Sequence, residues 1–285
     1  MNKIRLIADL HKFRITFATT LTTLAGYALA SGTVDKRVIL VLIGIFILAS
    51  GSAAFNHFQE RNTDILMKRT RNRPIPSGKI KPSAVVVIAL LEIIAGTILI
   101  YTGSGFVAAF LGFLAFVWYN LVYTPLKKIT SFAVIPGSVI GAIPPMVGWV
   151  AGGGSLLDPA LFVLAFFFFM SQVPHFWLLM LHYGDDYNAA GFPVINNVLT
   201  YTQIKRVTFV WIVATALNIV LLVFAGLFET FVFKAVVLSA AVQLIVVFSG
   251  LLRKSNENFD PFRYFSQLNY IMLVIILSMI LDPLF

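Results

Sequence analysis

Apolar residues run in long unbroken stretches along this chain of 285 residues, and polar residues are gathered into short intervals between them. A run of about 18 or more apolar residues predicts a membrane-crossing helix, because about 20 helical residues span the hydrocarbon core. Nine such runs occur, at roughly 14–31, 37–55, 82–101, 104–122, 132–151, 158–180, 206–226, 231–252 and 267–284. The gap between the third and fourth is so short that the pair predicts a tight hairpin. None has the alternating segments of about 10 residues that mark a transmembrane β-barrel. The pattern predicts an all-α membrane protein, residues 1–285 forming one domain of nine transmembrane helices in a single bundle.

Composition agrees. Hydrophobic residues make up 59% of the chain, charged residues 12%, and the mean hydropathy is +0.90. A soluble domain carries about 25% charged residues. Basic residues before the first apolar run resemble the start of a signal peptide, but eight more runs follow and no small-x-small cleavage pattern is clear, so the run reads as the first span. Cysteine is absent, which excludes disulfides and thiolate metal sites.

The net charge of +9 suggests nucleic acid until its distribution is considered. If nine spans alternate, Lys36, Arg37 and Lys234 fall on one side of the membrane and the other 18 of the 21 Lys and Arg fall on the opposite side. The positive-inside rule then places the N-terminus in the cytoplasm and the C-terminus outside, as in a bacterial plasma-membrane protein, with no nucleic-acid role.

Candidate chemistry gathers on that basic side. After the second run, Asn56, Glu60 and Asp64 recur at i, i+4, i+8, which stacks three oxygen-bearing side chains along one helix face. Such a row suits a hard cation, and Mg²⁺ is commonly held by one or two carboxylates plus substrate phosphates. Lys68, Arg69, Arg71 and Arg73 follow, and guanidinium forks suit phosphate oxygens. The bland reading is a solvated, topology-fixing loop. Regular spacing at the membrane edge, where each charge has a desolvation cost, favours a diphosphate site.

Three further regions carry weighable residues. Lys127 and Lys128 suit the outer oxygens of a diphosphate, and Tyr123 a developing cation; a snorkelling basic pair and an interfacial tyrosine explain them equally. In the fifth run, Pro136, Gly137, Gly141, Pro144, Pro145 and Gly148 predict a kink that opens a pocket. After the sixth, His175 and Trp177 precede Asp185 and Asp186, which suit a second cation. An imidazole at this depth either ligates iron or accepts a proton, or is a hydrogen-bonded packing residue. Glu92, midway along the third run, is either functional or bonded to a neighbouring helix. The polar loop with Arg253, Lys254, Asn256, Glu257, Asn258, Asp260 and Arg263 suits a cap over the site.

These strings together resemble the UbiA-type intramembrane prenyltransferases. The resemblance runs from Lys12-Phe13-Arg14 through Asn56…Asp64, Met67-Lys68-Arg69-Thr70-Arg71-Asn72-Arg73-Pro74, Tyr123-Thr124 and Lys127-Lys128 to Asp185-Asp186-Tyr187. Gly141-Ala142…Pro144-Pro145 and Pro174-His175-Phe176-Trp177 point to the haem-farnesylating branch. Glu60 and Asn62 stand where that family usually has aspartates. The resemblance implies a bundle around a central cavity, Mg²⁺-assisted ionisation of farnesyl diphosphate held by Asn56, Glu60, Asp64, Lys68, Arg69, Arg73, Lys127 and Lys128, and haem b as acceptor near His175 and Trp177, with a haem A synthase acting downstream. An aromatic or quinone-precursor acceptor is the rival enzyme reading; a transporter has little need for a metal-and-arginine cluster at one rim.

Overall fold

The computed structural model describes residues 3–253 and 259–285. Lys254, Asn256, Glu257 and Asn258 of the expected cap, and the side chain of Lys3, lie outside the described residues. All regular structure among the described residues is helical: α1 (Lys3–Leu10), α2 (Phe13–Ser31), α3 (Val38–Asp64), α4 (Pro82–Val117), a π-helical turn (Trp118–Tyr123), α5 (Thr124–Leu126), α6 (Val134–Gly137), α7 (Val139–Ala151), α8 (Pro159–His182), α9 (Gly184–Ala189), α10 (Tyr201–Phe224), α11 (Phe231–Phe248) and α12 (Pro261–Leu281). Side-chain caps start several of them. Asp158 and Asp260 each accept a backbone N–H two residues on, just ahead of a proline at the first helical position. Thr200 and Gln203 form a reciprocal capping box at α10.

Among the described residues, seven helical stretches are long and apolar enough to cross a membrane. The longest, Pro82–Leu126, holds two of the expected spans. Gly105, at φ 82° and ψ −172°, breaks α4, and a Cβ added at Gly112 would meet Ile100 at 2.9 Å. An unbroken helix would hold those two residues about 18 Å apart, so the limbs fold back on each other. The remaining expected span, α2, is less apolar because it carries five threonines. Four of them return their hydroxyls to carbonyls of the preceding turn (Thr19 to Ile15, Thr20 to Thr16, Thr22 and Thr23 to Thr19), which satisfies them without water. The expected nine is therefore matched only approximately. Long, apolar helices whose outer faces carry exposed residues such as Phe106, Leu91 and Phe162 make this an integral multi-pass membrane protein.

The helices close into a ring: α2 packs on α3, α7 and α12, α4 on α3 and α7, and α8 on α7, α10 and α12. One apolar core joins α8, α10, α11 and α12; a second joins α3, α4 and α7. The α2–α7 seam depends on missing side chains. A Cβ at Gly26 would strike the Pro145 carbonyl, and one at Gly148 the Thr23 carbonyl. Pro144 and Pro145 lie inside α7 against α2, and Ser138, at φ −65° and ψ −18°, joins α6 to α7.

Candidate active site

The row Asn56, Glu60 and Asp64 ends α3, and all three side chains are buried. Each meets a basic side chain from elsewhere. Asp64 accepts from Arg73 Nη1 at 2.9 Å to each carboxylate oxygen. Glu60 pairs with Lys127. Asn56 Oδ1 accepts from Lys12 Nζ at 2.7 Å, and its Nδ2 donates to Thr124 Oγ1 at 3.1 Å. Lys12 Nζ also donates to the Tyr119 hydroxyl at 3.1 Å.

Three cations thus converge on two carboxylates. Burial, then the repulsion of Arg73, pushes Lys12 down to about 7, with Lys127 acting in the same sense and Glu60 against it. Burial also works against the charge on Lys127. There Glu60, with Tyr123 and Tyr187, more than offsets it and holds the ammonium above the ordinary lysine range. Three half-buried basic side chains gathered around two carboxylates suit an anionic ligand.

The π-helical turn supplies the next layer. Asn120 is fully buried and ties the turn to α3: its Oδ1 accepts from Ser52 Oγ at 2.5 Å, and its Nδ2 donates to Ser52 O and Gln59 Oε1. Gln59 Nε2 donates back to Asn120 O at 2.8 Å. These bonds aim Tyr119, Tyr123 and Thr124 toward the row. The Tyr123 ring packs on Tyr119 and Phe176, with Lys127 Nζ 5.6 Å from its centroid. A cleft lined by Tyr123, Lys127, Phe176, Met180, Tyr187 and Phe192, largely aromatic and apolar, opens beside it.

Other expected residues stand elsewhere. Lys68, Arg69 and Lys128 are exposed, and the Arg69 guanidinium lies over the Tyr183 ring at 4.9 Å. Asp186 accepts the backbone N–H groups of Lys68 and Arg69 at 3.2 and 3.1 Å, so it clasps the loop after α3; Asp185 is exposed. Among the described residues no three His, Cys, Asp or Glu side chains converge as a metal cluster. The oxygen set of one amide and two carboxylates at Asn56, Glu60 and Asp64 still fits Mg²⁺, which keeps places for waters and phosphate oxygens. His175 Nδ1 lies 3.0 Å from Asn269 Oδ1, and its ring packs on Phe265 and Phe176. Trp177 is buried against Trp211, Val134 and Val173. Glu92 meets His11 across elements, the bonded alternative for this carboxylate. Asn120 carries no signal in the sequence, and Lys12 carries one only through its place in the Lys12-Phe13-Arg14 string; Tyr119 and Thr124 lie in the same polar interval as Tyr123 and Lys127.

Comparison with known proteins gives one family. Residues 19–270 match the model of the UbiA prenyltransferase family. The chain is 33% identical over 282 residues to a protoheme IX farnesyltransferase of Oleidesulfovibrio alaskensis, covering 99% of this chain and 97% of that one. It is 40% identical over 181 residues to one of Geobacter sulfurreducens, covering 64% and 67%. In fold it resembles a solved digeranylgeranylglyceryl phosphate synthase, with TM-score 0.80, 16% identity and 99% of each chain covered. It also resembles a UbiA homologue of Archaeoglobus fulgidus bound to GPP and Mg²⁺, with TM-score 0.74, 12% identity and 98% and 100% covered. With its end-to-end likeness to these relatives and the acidic row facing basic partners at one end of the bundle, the chain belongs to the UbiA prenyltransferase family.

Proposed function

We propose that this protein transfers the farnesyl group of farnesyl diphosphate to the 2-vinyl group of haem b, giving haem O. The observation that carries the reading is the convergence of the buried row Asn56, Glu60 and Asp64 with the half-buried Lys12, Arg73 and Lys127, beside an aromatic cleft. The relatives named protoheme IX farnesyltransferase support the choice of donor and acceptor.

Asn56, Glu60 and Asp64 would hold Mg²⁺, which supplies Lewis-acid neutralisation of the leaving diphosphate. Arg73 and Lys127 then turn from the Asp64 and Glu60 carboxylates, and Lys12 from the Asn56 amide and Tyr119 hydroxyl, toward phosphate oxygens. They stabilise charge that grows as the C1–O bond breaks and the electron pair leaves with the diphosphate. Tyr123 presents its ring to the allylic carbon, and the apolar cleft excludes water until the vinyl π electrons form the new C–C bond. Water adds to the cation left on the vinyl group and gives up a proton, completing the hydroxyethylfarnesyl chain. Lys68, Arg69 and Lys128 serve as outer contacts that draw the anion to the rim. His175, with Asn269 on its Nδ1, contacts the acceptor, and Trp177 shapes the wall behind it. Asp186 acts on the loop that carries Arg73 rather than as part of a second metal site, and Asp185 stands exposed beside it.

The charge asymmetry of the loops supports an N-terminus and active site on the cytoplasmic face of a bacterial plasma membrane and the C-terminus outside. A haem A synthase is the downstream consumer that this reading implies. The test is turnover of purified protein with Mg²⁺, farnesyl diphosphate and haem b, the pigment followed by mass spectrometry. A haem heavier by one farnesyl group plus water is expected. Diphosphate release with an aromatic acceptor and none with haem would move the enzyme to another branch of the family.

A further inference from the structure

Glu92 has no part in that scheme, yet it sits ten residues past Pro82 in α4, about 15 Å along the helix, where a carboxylate is costly to desolvate. Its Oε1 stands 3.0 Å from His11 Nε2, a close polar contact without hydrogen-bond alignment, and neither His11 Nε2 nor Glu92 Oε2 has a hydrogen-bond partner among the described residues. Its contact with another element therefore goes to the junction of α1 and α2.

That junction is bent in a costly way. Lys12 has φ 46° and ψ 49°, and it is the one non-glycine residue with positive φ among the described residues. A residue with a Cβ holds the left-handed conformation only where its surroundings over-determine it, and such residues cluster at functional sites. Here the surroundings grip the residues beside the bend. Leu10 is 2% exposed, packed among Ala54, Ile75, Val85 and Ala89. Thr16 Oγ1 donates to the His11 carbonyl at 2.7 Å, and the His11 ring reaches Glu92. The result of the bend is that Lys12 Nζ reaches Asn56 Oδ1 and the Tyr119 hydroxyl.

From this geometry we propose that Glu92 is a positioning residue: it anchors His11, which fixes the left-handed bend that delivers the Lys12 ammonium to the diphosphate end of the donor site. The inference rests on the donor-site reading given above. Glu92 touches no reacting atom in it and acts on binding through Lys12.

A double-mutant cycle tests it. The probe is farnesyl S-thiolodiphosphate, an analogue that resists ionisation, titrated with Mg²⁺ into the purified protein in detergent, with monodispersity and thermal unfolding as controls for folding. Glu92→Ala and His11→Ala are each expected to weaken binding about tenfold, a coupling of ordinary size for residues in one network. Lys12→Ala is expected to weaken it at least as much. In the Lys12→Ala background, Glu92→Ala adds almost nothing. Glu92→Gln, which keeps the side-chain size and a polar oxygen against His11, retains most of the affinity and replaces Glu92→Ala in the cycle if that variant does not fold. In turnover, kcat/KM for the donor falls in Glu92→Ala, and the Glu92→Ala/Lys12→Ala double variant loses no more of it than Lys12→Ala alone. Unchanged affinity in Glu92→Ala, or losses that multiply in the double variant, would overturn the inference while leaving the donor reading intact. A parent protein that does not bind the probe would overturn both.

Discussion

Arg73 places a single Nη1 at 2.9 Å from both carboxylate oxygens of Asp64, closing the loop after α3 onto the end of that helix. Asp64 is fully buried and the Arg73 side chain is 18% exposed, so the pair is not a surface ion pair of negligible worth. Asp64→Asn is expected to lower diphosphate release at saturating Mg²⁺ by on the order of 10²–10³-fold, the scale of losing one preorganised charge contact. Arg73→Lys keeps the charge but loses the planar fork, and a smaller loss is expected. Full turnover in Asp64→Asn would remove the acidic row from the mechanism.

Asp186 separates two roles that the sequence left superposed. If its carboxylate clasps the backbone of Lys68 and Arg69, Asp186→Ala raises KM for the donor and leaves the Mg²⁺ concentration for half-maximal rate unchanged. A higher Mg²⁺ requirement in that variant would restore Asp186 as a metal ligand.

Asn120→Leu tests the layer behind the site. The substitution strands Gln59 and Ser52, whose side chains bond to Asn120 in a buried setting. A stability loss of about 1–3 kcal/mol is expected from the unsatisfied groups. Kinetics should worsen with it, because the π-helical turn carries both Tyr119 and Tyr123. Unchanged thermal unfolding in detergent would show that the network is dispensable.

The α2–α7 seam has no room for a methyl group. Gly26→Ala drives a Cβ into the Pro145 carbonyl, and rigid backbone on both sides cannot yield cheaply. A cost of about 1–3 kcal/mol or more is expected, read as reduced thermal stability. Gly153→Ala meets no neighbouring atom, and its cost is confined to the positive φ of 91°.

At the opposite end, Asp282 is 1% exposed and accepts from the backbone N–H groups of Glu229 and Thr230 and from the Thr230 hydroxyl. Asp282→Ala is expected to lower stability by about 1–3 kcal/mol through those stranded donors while leaving KM for the donor unchanged. A changed KM would mean that the two ends of the bundle are coupled.

The sequence by itself determined the solvent, the secondary structure and one face of the site. Membrane spans follow from local apolar runs because the bilayer sets their length, and the row Asn56, Glu60 and Asp64 follows from the helical repeat alone. Only the tertiary structure decided which cations meet that row. Arg73, Lys127 and Lys12 turn inward, whereas Lys68, Arg69 and Lys128, equally basic and adjacent in sequence, remain exposed. It also decided that Asp186 binds backbone, that Trp177 packs against Trp211, and that Glu92 meets His11. The physical reason is range. Helical periodicity is set by hydrogen bonds four residues apart, but the pairing of Lys12 with Asn56, 44 residues away, depends on how whole helices pack and where the chain bends between them.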